Sequence, residues 1–267
     1  MNGFINYILI VLFMTGLISC NQKNSLISFY VDYGKVNSSD LIGEDMVIVE
    51  PDNYTRSDVL SLRQNNIKVL AYISLGEVNP SRWYYSLLEK RGFIGINENW
   101  NSPYIDLEDS ISRSIIVNTV IPDIMKKGFD GLFLDTIDDV ASYTKRSYLQ
   151  PYMIELIRNI HDKNKGKYII QNAGFFLVDK TKNFIDAMLV EDVATSYDFT
   201  TNTYHLATEK KYQEDVDMIR YYQKQIHKPF FIVDYANTES LRQAVKKRLD
   251  TLGISYFIGT IDLNATK

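Results

Sequence analysis

Eight short apolar segments between residues 26 and 258 constrain the fold of this chain more than any other feature. They comprise residues 26–33, 46–50, 68–75, 131–134, 168–171, 187–191, 229–234 and 254–258. Stretches with the apolar spacing of helices, such as 113–127 and 209–225, separate most of them. Continuous apolar strands that alternate with helices are typical of a parallel sheet covered on both faces. We therefore predict an α/β fold, a single (β/α)8 TIM barrel, with a doubly wound open sheet as the alternative.

The first 25 residues do not follow this pattern. Residues 5–18 are almost entirely apolar and uncharged, and Cys20, the only cysteine, comes shortly after them. Such a run is shorter than the roughly 20 residues that span a bilayer, and it matches the core of a secretory signal. The sequence LISC at 17–20 resembles the lipobox of bacterial lipoproteins, although residues 1–6 contain no lysine or arginine.

The lipobox resemblance implies how the chain is divided. Residues 1–19 would be a lipoprotein signal peptide, Cys20 the site of lipid attachment, residues 20–25 a tether and residues 26–267 the barrel domain. We expect an exported protein, anchored by lipid to a membrane of the cell envelope or surface. An uncleaved N-terminal anchor is the alternative, and it would also export and tether the domain.

Polar or acidic residues stand at the carboxyl end of nearly every predicted strand. They are Asp32, Tyr33, Glu50, Ser74, Glu77, Asp135, Asp138, Gln171, Asn172, Glu191, Asp192, Asp234, Tyr235, Thr260 and Asp262. One such acid taken alone is more often a helix cap or a turn residue. In a barrel these ends meet on one face, which is where barrel enzymes carry their active sites. Because five or more acids there would repel one another, their convergence indicates a cationic or polyhydroxylated ligand.

The residue types at these strand ends restrict the possible chemistry. The three histidines, His161, His205 and His227, lie away from them, and neither a phosphate loop nor a nucleophile elbow follows a strand. The net charge is −4 and no basic stripe is present, so we expect no nucleic-acid partner. What remains is carboxylate chemistry, and two carboxylates in one cleft can hydrolyse a glycosidic bond. We expect this reaction to need no cofactor and no metal ion.

A metal-dependent hydrolase is an alternative use of the same acids. Asp135, Asp138 and Asp139 could together bind Mg²⁺ or Ca²⁺, because hard cations prefer oxygen ligands. Asp138 and Asp139 could equally cap the helix that follows them.

Four short motifs occur in a fixed order along the chain. They are YISLGE at 72–77, GFDGLFLDTID at 128–138, NAG at 172–174 and VED at 190–192. Together they resemble the glycoside hydrolase family typified by endo-α-1,4-polygalactosaminidase, over nearly the whole length from about residue 28 to 260. The resemblance implies a (β/α)8 barrel that cleaves α-linked galactosamine or N-acetylgalactosamine polysaccharide. Runs similar to the second motif occur in other sugar-acting barrels, so it indicates the fold and the reaction class more firmly than the substrate.

The resemblance also implies roles for individual residues. Asp135 and Glu191 take the family's two catalytic positions, and analogy with other barrels that act on α-linked sugars makes Asp135 the nucleophile and Glu191 the general acid/base of a retaining mechanism. The reverse assignment is the alternative. The expected substrate contacts are Asp32, Tyr33, Tyr72, Glu77, Trp100, Asn172, Tyr197, Asp234 and Tyr235. We expect a monomer whose partner is a polysaccharide; a barrel that binds a surface glycan without cleaving it is the competing hypothesis.

Overall fold

A computed structural model describes residues 26–64 and 66–264, which contain twelve strands. The strands are β1 (Phe29–Asp32), β2 (Met46–Val49), β3 (Lys68–Ser74), β4 (Phe93–Asn97), β5 (Ser102–Ile105), β6 (Gly131–Asp135), β7 (Tyr168–Asn172), β8 (Ala187–Glu191), β9 (Thr195–Asp198), β10 (Thr203–Leu206), β11 (Phe230–Tyr235) and β12 (Ser255–Gly259). Eight of them form one parallel sheet in the order β1-β2-β3-β6-β7-β8-β11-β12, which curls into a nearly closed barrel. The predicted (β/α)8 barrel is confirmed. The other four strands form two antiparallel hairpins, β4–β5 and β9–β10.

Helices surround the barrel and connect its strands. They are α1 (Arg56–Arg63), α2 (Tyr85–Glu89), α3 (Ser110–Ile115), α4 (Ile121–Met125), α5 (Gln150–Lys163), α6 (Val178–Thr181), α7 (Glu209–Ile226) and α8 (Glu239–Leu249). A π-helical turn, Ile116–Val120, joins α3 to α4, so the predicted helix at 113–127 is observed as one irregular helical stretch. Threonine caps begin the last two helices, because Thr208 and Thr238 accept hydrogen bonds from backbone N–H groups of the first turn.

Burial on both faces explains why the barrel strands are apolar throughout. In β2, Met46 and Ile48 belong to the cluster that fills the inside of the barrel. Val47 and Val49 point the other way, into the larger cluster between barrel and helices. All four side chains are buried. A strand with only one covered face would instead alternate apolar and polar residues.

The barrel closes between its first and last strands, β1 and β12. The rings of Tyr30 and Phe257 meet across this seam with centroids 4.8 Å apart. At the carboxyl end of β1, the Tyr33 N–H donates to the carbonyl oxygen of Leu263 at 2.6 Å. The segment 261–264 therefore forms part of the barrel wall.

The predicted membrane anchor lies in the N-terminal segment of the chain. The predicted signal peptide at 1–19, the lipidation site Cys20 and the tether at 20–25 lie outside the described residues. Within the described part of the chain, no helix has the length and apolar character needed to cross a membrane. The described chain starts at Leu26, just before β1, on the face opposite the carboxyl ends of the strands.

Candidate active site

A cavity of about 1240 Å³ opens at the carboxyl ends of the barrel strands. Eight of the predicted site residues line it: Tyr33, Tyr72, Glu77, Trp100, Asp135, Asn172, Glu191 and Tyr235. The cavity lies on the face that carries the active site in barrel enzymes. The position therefore makes this cavity the candidate active site, and its geometry decides what it can do.

Asp135, Asn172 and Glu191 meet at the centre of this site because they end three neighbouring strands, β6, β7 and β8. The Asn172 side-chain nitrogen donates to Asp135 Oδ1 and to Glu191 Oε1, each at 2.7 Å. Both bonds start at one nitrogen atom, so the two carboxyl oxygens lie at most twice that distance, 5.4 Å, apart. The two carboxyl groups are close enough to act on a single bond.

The residue after each of these three has a left-handed backbone conformation. The φ angles are 59° at Thr136, 47° at Ala173 and 56° at Asp192, and none of these residues is glycine. Left-handed φ costs a residue with a Cβ roughly 1–2 kcal/mol. The turn ends each strand abruptly, and such local strain is concentrated at functional sites in proteins.

The environment of Glu191 raises its proton affinity. Burial and the nearby charge of Asp135 raise the pKa of Glu191 to about 8, although hydrogen bonds from Tyr235 and Asn172 oppose this shift. The Tyr235 hydroxyl donates to Glu191 Oε2. Glu191 is therefore mainly protonated at neutral pH, and a protonated carboxyl group can serve as a general acid.

Tyr33 and Tyr72 stand beside Asp135 with ring centroids 4.6 Å apart. Burial and the charge of Asp135 raise the pKa of both hydroxyls well above the usual tyrosine value. Both tyrosines therefore remain neutral at physiological pH, so they can donate hydrogen bonds to a bound ligand. Their apolar ring faces also offer surfaces on which a sugar can pack.

Carboxyl groups dominate the charge of the cavity. Nine acidic side chains line it: Glu50, Asp52, Glu77, Asp135, Asp138, Glu191, Asp192, Asp215 and Asp262. The two basic side chains of the lining are both engaged, Arg82 by Glu50 and Asp52 and Lys211 by Asp215. Among the described residues, the other six acids have no salt bridge to a lysine or arginine. Burial raises the pKa of Glu77, Asp138, Glu191 and Asp192, so the negative charge that the site offers to a ligand grows as the pH rises.

Glu77 contacts both the cavity and the β4–β5 hairpin. It lines the cavity, and its Oε1 accepts a hydrogen bond from the Asn97 side chain at 2.7 Å while its backbone pairs with Tyr104. Burial raises the pKa of Glu77, and burial together with the charge of Glu77 raises the pKa of Asp139 to about 9. Glu77 therefore connects the β4–β5 hairpin to the barrel, and because it also lines the cavity its contact with substrate stays a prediction.

Three predicted substrate contacts do not line the cavity. Asp234 is fully buried and accepts hydrogen bonds from the Ala194 N–H at 2.7 Å and from the Thr195 hydroxyl. Asp32 is 1 % exposed and accepts from the Gly34 N–H at 2.5 Å. Tyr197 lies in the β9–β10 hairpin, where its ring packs on Tyr204 and Phe199. Contacts within the fold occupy all three side chains.

The alternative metal site is not assembled by the described residues. Asp138 accepts a hydrogen bond from the Gly174 N–H at 2.8 Å, and the carboxyl group of Asp139 interacts with Glu77. The three acids Asp135, Asp138 and Asp139 thus have separate partners. Among the described residues, no group of three or more histidine, cysteine, aspartate or glutamate side chains is arranged to hold a metal ion.

Several lining residues were not predicted from the sequence. Arg82 was missed because its acidic partners, Glu50 and Asp52, come from a distant segment. Lys211 was missed because only the fold brings its helix, α7, to the cavity, although its partner Asp215 lies one turn away. Tyr143 and Phe176 line the cavity and are 86 % and 38 % exposed. The available signal was their place in loops that follow β6 and β7, since such loops form the mouth of a barrel.

The two hairpins also touch each other. Trp100, in the β4–β5 turn, meets Phe199, in the β9–β10 turn, with ring centroids 5.3 Å apart and nearly perpendicular planes. Trp100 lines the cavity as predicted and is 48 % exposed. An edge-to-face aromatic pair contributes about 0.5–1.5 kcal/mol, which is too little to lock two hairpins rigidly together.

Similarity to solved structures agrees with the barrel fold. The chain resembles the glycoside hydrolase domain of PelA from Pseudomonas aeruginosa, with a TM-score of 0.79, 22% identity and coverage of 91% of this chain and 97% of that one. It resembles Aspergillus fumigatus Ega3, solved in complex with galactosamine, with a TM-score of 0.70, 15% identity and coverage of 90% and 92%. An alpha-amylase from Geobacillus thermoleovorans, complexed with acarbose, is more distant, with a TM-score of 0.54, 10% identity and coverage of 89% and 70%.

The family is settled by the sequence. A comparison with curated proteins gives no significant match. The family model of glycoside-hydrolase family GH114, by contrast, matches residues 22–267, which include the whole barrel and its cavity. The chain therefore belongs to glycoside-hydrolase family GH114 and is a glycoside hydrolase with a (β/α)8 barrel.

Proposed function

We propose that this protein cleaves an α-linked galactosamine or N-acetylgalactosamine polysaccharide by a retaining mechanism with Asp135 and Glu191 as its two carboxyl groups. The observation that carries the proposal is their separation of at most 5.4 Å between the bridged oxygens. Retaining glycosidases hold their carboxyl groups about 5–5.5 Å apart, whereas inverting ones leave about 6.5–9.5 Å for a water molecule.

The environments of the two acids support distinct roles. Glu191, with its pKa raised to about 8, donates its proton to the glycosidic oxygen while Asp135 attacks the anomeric carbon. The leaving sugar departs with that proton, and a covalent bond joins the other sugar to Asp135. Glu191, now ionised, removes a proton from water, the resulting oxygen attacks the anomeric carbon, and Asp135 leaves as a carboxylate.

The stereochemistry of the first product tests the mechanism. We expect proton NMR, recorded within the first minutes of digestion, to show new reducing ends in the α configuration, followed by slow mutarotation to the β anomer. Initial release of the β anomer would contradict retention. Binding of the polymer without any new reducing end would instead support a glycan-binding barrel.

The charge of the cavity favours a polymer that carries free amino groups. We expect kcat/KM to be about tenfold higher for a partly deacetylated galactosamine polymer than for its fully N-acetylated form at low salt, because opposite charge raises the local substrate concentration. Raising NaCl toward 0.5 M should remove this preference and leave the neutral polymer unaffected. Assays of new reducing ends on both polymers, at low and high NaCl, measure this preference.

A matched pair of variants assigns this preference to the site. Asp262 lines the cavity without a basic partner among the described residues, so Asp262→Asn should reduce the preference. Asp179, 79 % exposed on α6, serves as the control, and Asp179→Asn should change nothing. If kcat/KM is the same for the acetylated and the deacetylated polymer, and does not change with salt, a role for the charge of the cavity is contradicted.

We propose further that the enzyme is an exported lipoprotein, with a signal peptide at residues 1–19 and lipid on Cys20, and that it acts as a monomer. The apolar run at 5–18 and the LISC sequence support the anchor, and a complete cavity within one chain supports the monomer. We expect labelled palmitate to enter the wild type and to be absent from Cys20→Ser, which should also leave the detergent phase. A Cys20→Ser protein that stays in that phase would favour an uncleaved anchor.

A further inference from the structure

The amide group of Asn172 lies between the two carboxyl groups of the candidate active site. The side chain is 7 % exposed, and its nitrogen donates to Asp135 and to Glu191 at 2.7 Å each. An amide nitrogen carries two hydrogens, so both are used by these two bonds. The nitrogen has no hydrogen left for a sugar, which argues against the predicted role of Asn172 as a substrate contact.

The oxygen of the same amide group makes no hydrogen bond within the described residues. Asn172 Oδ1 is buried and has no hydrogen-bond partner among the described residues. Leaving a buried polar atom unpaired costs about 1–3 kcal/mol. The two carboxyl groups must therefore be what holds the amide in this orientation, and hydrogen bonds to ionised groups are the stronger kind.

We propose that Asn172 is a positioning residue, which sets the separation of Asp135 and Glu191 and stabilises whichever of the two carries the negative charge. The inference rests on the proposed retaining mechanism and adds a residue to it. At the start of the reaction Glu191, with its raised pKa, holds the proton. As the glycosyl bond to Asp135 forms and Glu191 loses its proton, the charge moves to Glu191, and the same amide still donates to it.

Hydrogen bonds also limit where the Glu191 proton can be. Oε1 accepts from Asn172 and Oε2 accepts from Tyr235, so one lone pair on each oxygen is taken. The proton to be transferred must occupy a lone pair that these donors leave open. Asn172 thereby restricts the direction of proton transfer as well as the distance.

Kinetics of Asn172→Ala on a partly deacetylated galactosamine polymer test the proposal. We expect kcat to fall about 10²-fold, the usual effect of displaced catalytic groups, with KM changed less than about threefold. Because the Asn172 hydrogen bond holds the pKa of Glu191 down, its loss should also move the alkaline limb of kcat to higher pH. A residue that only supported the fold would lower activity without moving that limb.

A second variant keeps the size of the side chain. Asn172→Asp replaces both donors by a third carboxyl group, so we expect a larger loss of kcat and a further alkaline shift, with the melting temperature measured to confirm folding. A raised KM with unchanged kcat and unchanged pH limb would overturn the inference and restore Asn172 as a substrate contact. An inactive wild type would instead reject the proposed function.

Discussion

Asp135→Asn is expected to lower kcat by about 10³-fold or more, because an amide cannot form the glycosyl-enzyme bond. Glu191→Gln should lower kcat on the natural polymer by about 10²–10⁴-fold, which is the usual contribution of general acid catalysis. On an α-galactosaminide with an activated aryl leaving group, which needs no acid, Glu191→Gln should recover bond cleavage and Asp135→Asn should not. Recovery by Asp135→Asn would reverse the two roles.

The pH profile provides an independent check on these assignments. Glu191 has a pKa raised to about 8, so it is protonated below that pH and ionised above it. As a general acid it works only while protonated, and the activity of the wild type should therefore decline as the pH rises through about 8. Glu191→Gln should lose this alkaline limb. Asp179→Asn, remote from the cavity, should keep the wild-type profile.

Asp234→Ala is expected to lower the free energy of unfolding by about 3 kcal/mol. The substitution removes a buried carboxyl group and leaves the groups that donate to it without a hydrogen-bond acceptor. For a domain of this size the melting temperature should fall by roughly 6–12 °C. The lost partners are the Ala194 N–H and the Thr195 hydroxyl, which follow Glu191 closely in the chain, so activity should fall as well.

Asp234→Asn is the matched control for that prediction. Its remaining oxygen still accepts from the Ala194 N–H, and its amide can donate to Thr195, so we expect less than half of the destabilisation. Unchanged melting of Asp234→Ala together with a raised KM would show that Asp234 binds substrate after all. Calorimetry and initial-rate kinetics on the same preparations separate the two results.

The barrel and the position of its site could be predicted from the sequence for one physical reason. Strands buried on both faces must be apolar along their whole length, so each barrel strand is visible as a short run, and its polar end marks the mouth. Asp135 and Glu191 end two such runs, β6 and β8. Their separation could not be predicted, because it depends on the Asn172 bridge and on left-handed turns at residues other than glycine.

The predicted substrate contacts that do not line the cavity have an equally simple cause. Consecutive residues along a strand point to opposite faces, so the two members of such a polar pair can point in different directions. In Asp32–Tyr33 and in Asp234–Tyr235, the sequence marks both members as candidates. The tyrosine lines the cavity in each pair, and the aspartate is buried within the fold. Alternation alone cannot say which member points inward.

Both hairpins were also absent from the predicted elements. Residues 93–105 and 195–206 contain strands of only four or five residues each, too short to show a clear alternation of apolar and polar residues. What defines them is contact with distant segments, such as the bond from the Asn97 side chain to Glu77. A stacking role for Tyr197 could not be judged without knowing that its ring packs inside such a hairpin.

The seam of the barrel has a practical consequence for protein engineering. Leu263 lines the cavity and accepts the Tyr33 N–H, and the Ile261 N–H donates to the Tyr204 hydroxyl at 3.0 Å. The last described residues therefore shape the cleft as well as close the wall. We therefore expect a truncation before Ile261, or a bulky fusion joined directly to this segment, to disturb the cavity together with the barrel wall. Purification tags are better separated from it by a flexible spacer.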